Sequence, residues 1–260
     1  MNIQIAHDAR PQVKALLAAA ALSILLWYVP FAWVLSYPFQ LFVTFIHEGG
    51  HALAAVLTGN SVRSLSVALD TSGLTETLTP QGSRLSQMLI ASAGYLTATG
   101  FGALLLWLVR RRVKARVVLV GSAAIILGLT VVFGFLVPLT SLSFSPFTVV
   151  SGLIITLGLL AAARYAPPRV RNFLVSFLAM QCVLNSLFNL RDLFVLSLNT
   201  NAQTDAGNMQ ALTGIPSIFW ALFWVAVSFV ILTLALRAYA VSKDKPAQPD
   251  LPFEDSPLEV

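Results

Sequence analysis

The chain has 260 residues, of which 57% are hydrophobic and only 10% charged, with a net charge of +5 and a mean hydropathy of +0.80. That balance excludes an ordinary soluble domain and identifies a polytopic membrane protein. The positive charge sits in a few short clusters, so it is a signal of membrane topology, and no nucleic-acid surface is expected.

A spanning helix needs about 20 apolar residues. Seven stretches approach that measure: 14–36, 39–58, 84–109, 117–138, 147–165, 170–194 and 215–241. The expected fold is therefore all-α and polytopic, with six to seven transmembrane helices. The first stretch is long enough to span and lacks a convincing small-residue cleavage site, so it does not read as a cleavable signal peptide. Residues 1–241 are expected to form one integral-membrane domain, followed by a disordered cytoplasmic tail over 242–260, rich in Pro and acid.

The second stretch carries His47-Glu48-Gly49-Gly50-His51 in an otherwise almost wholly apolar run. This is an H-E-x-x-H pattern. On a helix, His47 and His51 are four residues apart, so both imidazoles point to one face and can hold a single Zn²⁺. Glu48 then stands beside the metal as a candidate general base for a metal-activated water. Gly49 and Gly50 each cost a helix about 1 kcal/mol relative to Ala, but their missing side chains let another backbone come close.

After that helix, Ser64 to Leu69 alternates polar and apolar, Asp70-Thr71-Ser72-Gly73 reads as a turn, and Leu74 to Leu78 follows as a second short run. The segment is expected to be a small β-hairpin or loop at the membrane surface. Asp70 and Glu76 read as solvated loop charges. In the third stretch, Ala93-Gly94-Tyr95 and Gly100-Phe101-Gly102 read first as close helix packing.

Basic clusters follow at Arg110-Arg111-Arg112 with Lys114 and Arg116, at Arg164, Arg169 and Arg171, and at Arg237, Lys243 and Lys245. The positive-inside bias places the loops near 113, 167 and 243 in the cytoplasm and those near 142 and 205 outside. Parity then puts the N-terminus outside, against the preference of Arg10 and Lys14. One of the first three segments is re-entrant or interfacial, or the later clusters outvote the N-terminal one.

A catalytic zinc site takes three protein ligands and leaves a fourth position open. Of the three histidines, His7 lies before the first stretch, and five of the eleven acidic residues (Asp244, Asp250, Glu254, Asp255 and Glu259) lie in the tail. The third ligand is therefore expected to be a carboxylate. Four stretches separate the end of the second from the start of the seventh, an even number. The loop at 195–214 then shares a side with the C-terminal half of the H-E-x-x-H helix, within reach of both Asp192 and Asp205. Asp205 also reads as a helix cap or first-turn acid ahead of the last stretch. Asp192 ends a polar stripe of Gln181, Asn185 and Asn189, which reads equally as a functional face or as interhelical hydrogen-bonding. Arg191 offers Asp192 an ion-pair partner. Cys182 is the only cysteine, which excludes an intrachain disulfide and leaves the thiol to packing.

At this point the chain resembles the site-2 protease family, zinc metalloproteases that cleave inside membranes, and within it the compact bacterial branch lacking a PDZ domain. The resemblance rests on H-E-x-x-H in an early span, on Ala93-Gly94-Tyr95 with its glycine-rich continuation, and on Thr204-Asp205-Ala206. Leu212-Thr213-Gly214-Ile215-Pro216 and Trp220-Ala221-Leu222-Phe223-Trp224 extend it, so that it covers residues from about 40 to 225. It implies His47, His51 and Asp205 as zinc ligands, Glu48 as the base, and Asn185 or Asn189 on the scissile carbonyl or its oxyanion. Better-known members place the aspartate in Leu-Asp-Gly after Asn-Pro, and neither occurs here, so Asp192 stays open as the alternative third ligand. The implied protein is a multi-pass enzyme of the bacterial cell (inner) membrane, surrounded by lipid bilayer, acting on membrane-protein substrates and open to a regulatory membrane partner.

The function expected is a zinc-dependent intramembrane endopeptidase, with the edge of the hairpin at 64–78 receiving an unwound substrate segment as an added strand. The alternatives are a catalytically inactive metal-binding membrane protein and a metal transporter, the latter short of intramembrane acids to relay an ion.

Overall fold

The computed structural model describes residues 33–79, 83–140, 143–197 and 204–240, together with 17–19, 21–23, 25, 26 and 29; side chains at 33, 185–197 and 236–240 lie outside the description. His7 and the expected tail at 242–260 also lie outside it. The described elements are α1 (Trp33–Leu57), β1 (Ser61–Val67), β2 (Gly73–Leu78), α2 (Arg84–Arg110), α3 (Ala115–Leu139), α4 (Pro146–Tyr165), α5 (Pro168–Ser197), α6 (Asp205–Thr213) and α7 (Ser217–Ala240). The helical membrane class and the small hairpin are as the sequence leads one to expect.

The first expected stretch lies largely outside the described residues, which therefore do not give the span count. Among the described residues, four helices are long and apolar enough to cross a membrane: α2, α3, α4 and α7. Helix α1 has the length, at 25 residues, but not the composition; α5, at 30 residues, has side chains described only to 184 and so does not enter the four. Helix α1 carries His47, Glu48, His51 and the glycine pair; α5 opens on Arg169 and Arg171 and carries Gln181, Asn185, Asn189, Arg191 and Asp192. The boundary between the first two stretches also moves, because Trp33 to Ser36 open α1. Pro38 lies inside that helix and forfeits one hydrogen bond near its start without ending it.

Helix α3 contains a π-turn at Val132–Leu136, where the Val137 N–H reaches back to the Val132 carbonyl. Its cause is Pro138, which has no N–H to give to the preceding turn and whose ring displaces the carbonyl there. Helix α2 is the centre of the fold, packed against α1, α5, α6 and α7, while α3 pairs with α4. The main core joins Phe42 and Phe45 of α1 with Leu105 and Leu106 of α2, Leu119 of α3 and Leu178 of α5. Small residues set the approach. A Cβ on Gly50 would lie 2.8 Å from the Ala93 carbonyl oxygen of α2, and one on Gly102 would lie 2.9 Å from the Ala179 carbonyl oxygen of α5. Helix association in lipid rests on such close contacts.

The hairpin is antiparallel, with Leu65 opposite Thr75 and Val67 opposite Gly73, and an irregularity between Val62 and Ser64. At its tip, Asp70 Oδ1 accepts hydrogen bonds from the Ser72 hydroxyl at 2.6 Å and the Ser72 N–H at 3.0 Å, an Asx-type turn. These bonds hold the Asp70 carboxyl below its ordinary value. Thr71 takes the left-handed conformation, φ 69°, uncommon for a β-branched residue. Glu76 lies 3.7 Å from Arg63 on an exposed face. The Thr148 hydroxyl of α4 accepts from the Val67 N–H at 2.8 Å and faces the Val67 carbonyl at 3.2 Å. A helix side chain thus satisfies the outer edge of β1 there, and among the described residues no further strand pairs with the outer edge of β2.

Candidate metal centre

Helical geometry puts His47 and His51 on one face of α1, with ring centroids 4.9 Å apart. Both present Nε2 to the same atom: Asp205 Oδ2 lies 3.2 Å from His47 Nε2 and 3.2 Å from His51 Nε2. The ligand atoms of the three residues all lie within 4.8 Å of one another. Asp205 is the first residue of α6, whose N-cap is Thr204, accepting the Gly207 N–H at 3.0 Å. Thr204 therefore does the capping, which leaves the Asp205 carboxylate free to point at the histidines. The position of α6 is fixed by its buried residues Ala206 and Met209, which cluster with Ala91 and Tyr95 of α2 and Ala221 and Trp224 of α7.

His51 Nδ1 lies 2.6 Å from the Ile90 carbonyl oxygen. A carbonyl only accepts, so Nδ1 carries the proton and, in a neutral ring, Nε2 offers its lone pair. That lone pair faces a carboxylate oxygen. Two acceptors at 3.2 Å need a cation between them, a proton or a metal ion. Bonds of about 2.0–2.1 Å at tetrahedral angles set zinc ligand atoms about 3.3–3.4 Å apart, and both His–Asp distances are close to that spacing. Gly94 supplies the room: a Cβ there would overlap Nε2 of both His47 and His51. The residues present fit a small divalent ion.

Tyr95, one residue on, meets His47 edge-on at 4.8 Å and stacks on Trp224 at 4.9 Å. The two rings support His47 from the side of α7.

Glu48 is buried, 5% exposed, and its partner comes from the hairpin. The Thr75 hydroxyl lies 2.7 Å from Glu48 Oε2 and 3.0 Å from the Glu48 carbonyl oxygen. The side chains of Asn185, Asn189 and Asp192 on α5 lie outside the described residues; among the described residues the assembled group is His47, His51 and Asp205 with Glu48 alongside.

Sequence reasoning missed three contributors. Thr75 was one residue of the second short run; period two puts Gly73 and Thr75 on one face, but nothing in that run points to Glu48. Gly94 was read as packing. The Ile90 carbonyl is a backbone group four residues before Gly94, on the same face of α2, and helical spacing from Gly94 was the clue to it.

No curated protein and no solved structure matches the chain. A histidine pair on one early helix, a distant aspartate brought to both, and a family model described as Peptidase M50B-like that matches residues 15–235 converge on one conclusion. The chain belongs to the Peptidase M50B-like family, the site-2 protease family of intramembrane metalloproteases.

Proposed function

We propose that the chain is a zinc-dependent intramembrane endopeptidase that hydrolyses peptide bonds of membrane-protein substrates, with His47, His51 and Asp205 as metal ligands and Glu48 as general base. The observation that carries this reading is the convergence of two Nε2 atoms on one Asp205 oxygen at 3.2 Å, beside a buried glutamate. Two imidazoles and a carboxylate on an H-E-x-x-H helix are a donor set suited to catalytic zinc. Bound there, the ion supplies Lewis acidity that polarises a carbonyl and acidifies a water.

The chain's own residues do the rest. Glu48 takes a proton from the attacking water and returns it to the leaving amine nitrogen. Asn185 or Asn189, on α5, is assigned to the scissile carbonyl by the family resemblance. A substrate helix has to unwind before its carbonyls are accessible. The unpaired outer edge of β2 is a template on which the unwound segment can pair as an added strand.

The experiment measures zinc content and cleavage of single-span membrane peptides in liposomes. Wild-type protein is expected to hold about one zinc per chain and to cleave, and Glu48→Gln to keep the zinc and lose turnover. Cleavage by Glu48→Gln at the wild-type rate would overturn the enzymatic reading.

A further inference from the structure

The Glu48 carboxylate accepts a hydrogen bond from outside its own helix, from the Thr75 hydroxyl. Tyr37, Thr44 and Glu48 recur along α1 at spacings of seven and four, and so share a face. Each meets the hairpin. The Tyr37 hydroxyl donates to the Leu69 carbonyl at 2.8 Å, the Thr44 hydroxyl lies 2.7 Å from the Thr71 carbonyl, and the Thr75 hydroxyl lies 2.7 Å from Glu48 Oε2. The hairpin is laid along α1 by three contacts, and the last of them is on the carboxylate. Gly73, two residues before Thr75, lets the strand come this close: a Cβ there would lie 2.5 Å from Glu48 Oε1 and 2.7 Å from Thr44 Cγ2. Backbone at Gly73 thus bounds one carboxylate oxygen while the Thr75 hydroxyl holds the other.

We propose that Thr75 is a positioning residue for Glu48, and that strand β2 sets the orientation of the base through it. The inference rests on the reading of Glu48 as general base and deepens it. A glutamate side chain has three rotatable bonds, and a base acts only when held within hydrogen-bond reach of the proton it abstracts. In this fold the hold comes from a strand 27 residues further along the chain. Residues of the metal group are not involved, so metal binding is separable from the effect; a substrate strand pairing on β2 would use its backbone, which a change of the Thr75 side chain leaves in place, so substrate binding is separable as well.

The test compares Thr75→Val with Thr75→Ser on a single-span membrane peptide that the wild-type protein cleaves, reading kcat, KM and zinc content. Valine keeps the shape and removes the hydroxyl; serine restores it. With valine, kcat is expected to fall about 10- to 100-fold, part of the roughly 10²–10⁴ that a positioned base contributes, with KM and zinc unchanged. Serine is expected to recover most of that loss. In a Glu48→Gln background, Thr75→Val is expected to add nothing. A wild-type kcat for Thr75→Val overturns the proposal, as does a serine variant as impaired as valine, or a loss that falls on KM or zinc instead of kcat. The outcomes of the parent reading are separate: if Glu48→Gln is as active as wild type, the base assignment itself fails, whatever Thr75 does.

Discussion

The space in front of the histidine pair is kept open by one missing methyl group. A Cβ on Gly94 would overlap both Nε2 atoms, and Ala in a helix interior is better than Gly by about 0.5–1 kcal/mol. The two effects have opposite signs. Gly94→Ala is expected to leave the melting temperature of the zinc-free protein unchanged or slightly raised, and to weaken zinc binding by at least the roughly 10- to 100-fold that loss of a supporting contact costs. Zinc titration of the purified variant checks this; wild-type affinity would mean that Gly94 serves packing alone. The pair of histidines was legible in the sequence, because four-residue spacing has one geometric meaning on a helix. Gly94 was half legible. A small residue says that something comes close, and only the fold says that it is a histidine pair here and a carbonyl at Gly102. Thr75 was not legible as a partner of Glu48, since a threonine in a short strand-like run looks like any other strand residue and its contact is remote in sequence.

Among the elements, α6 bears the most on the site for its size. It has nine residues, too few to be stable as an isolated helix. Packing of Ala206 and Met209 and the Thr204 cap hold it. Loss of a threonine cap costs about 1 kcal/mol, and without it Asp205 is the nearest side chain able to turn back toward the free N–H groups. Thr204→Ala is therefore expected to lower zinc affinity roughly fivefold, the equivalent of about 1 kcal/mol, with Thr204→Ser close to wild type. Competition against a chromophoric chelator measures it, and equal affinities for all three proteins would separate the cap from the site. The sequence offered Asp205 as either a first-turn acid or a ligand, and these readings are compatible once Thr204 takes the cap. Element boundaries were less legible. The stretches 14–36 and 39–58 were divided where α1 runs on through Pro38, and the stretch 117–138 gave no warning of the π-turn upstream of Pro138, because both outcomes depend on neighbouring helices that absorb the lost hydrogen bond.

At the scale of the molecule, the candidate centre joins parts of the chain 158 residues apart, His47 and Asp205. Four helices, α2 to α5, run between α1 and α6. An even number of crossings returns the chain to the side from which it started, and the approach of Asp205 to His47 and His51 agrees with that parity. The sequence therefore supported the meeting of α1 and α6 without fixing which side faces the cytoplasm. It did not choose between Asp192 and Asp205, which parity brings to the same side. A ligand that binds only the folded state stabilises it by RT ln(1 + [L]/Kd), about 2.7 kcal/mol when free metal is a hundredfold above Kd. If Asp205 closes the site, chelation is expected to lower the melting temperature of wild type and of Asp192→Ala by several degrees. Asp205→Ala should already melt at the chelated value and respond to neither zinc nor chelator. The reverse pattern, with Asp192→Ala insensitive and Asp205→Ala still zinc-responsive, would move the third ligand onto α5. It would also leave the 3.2 Å approach of Asp205 to both histidines as an ion pair held by a proton, the other cation that this geometry accepts.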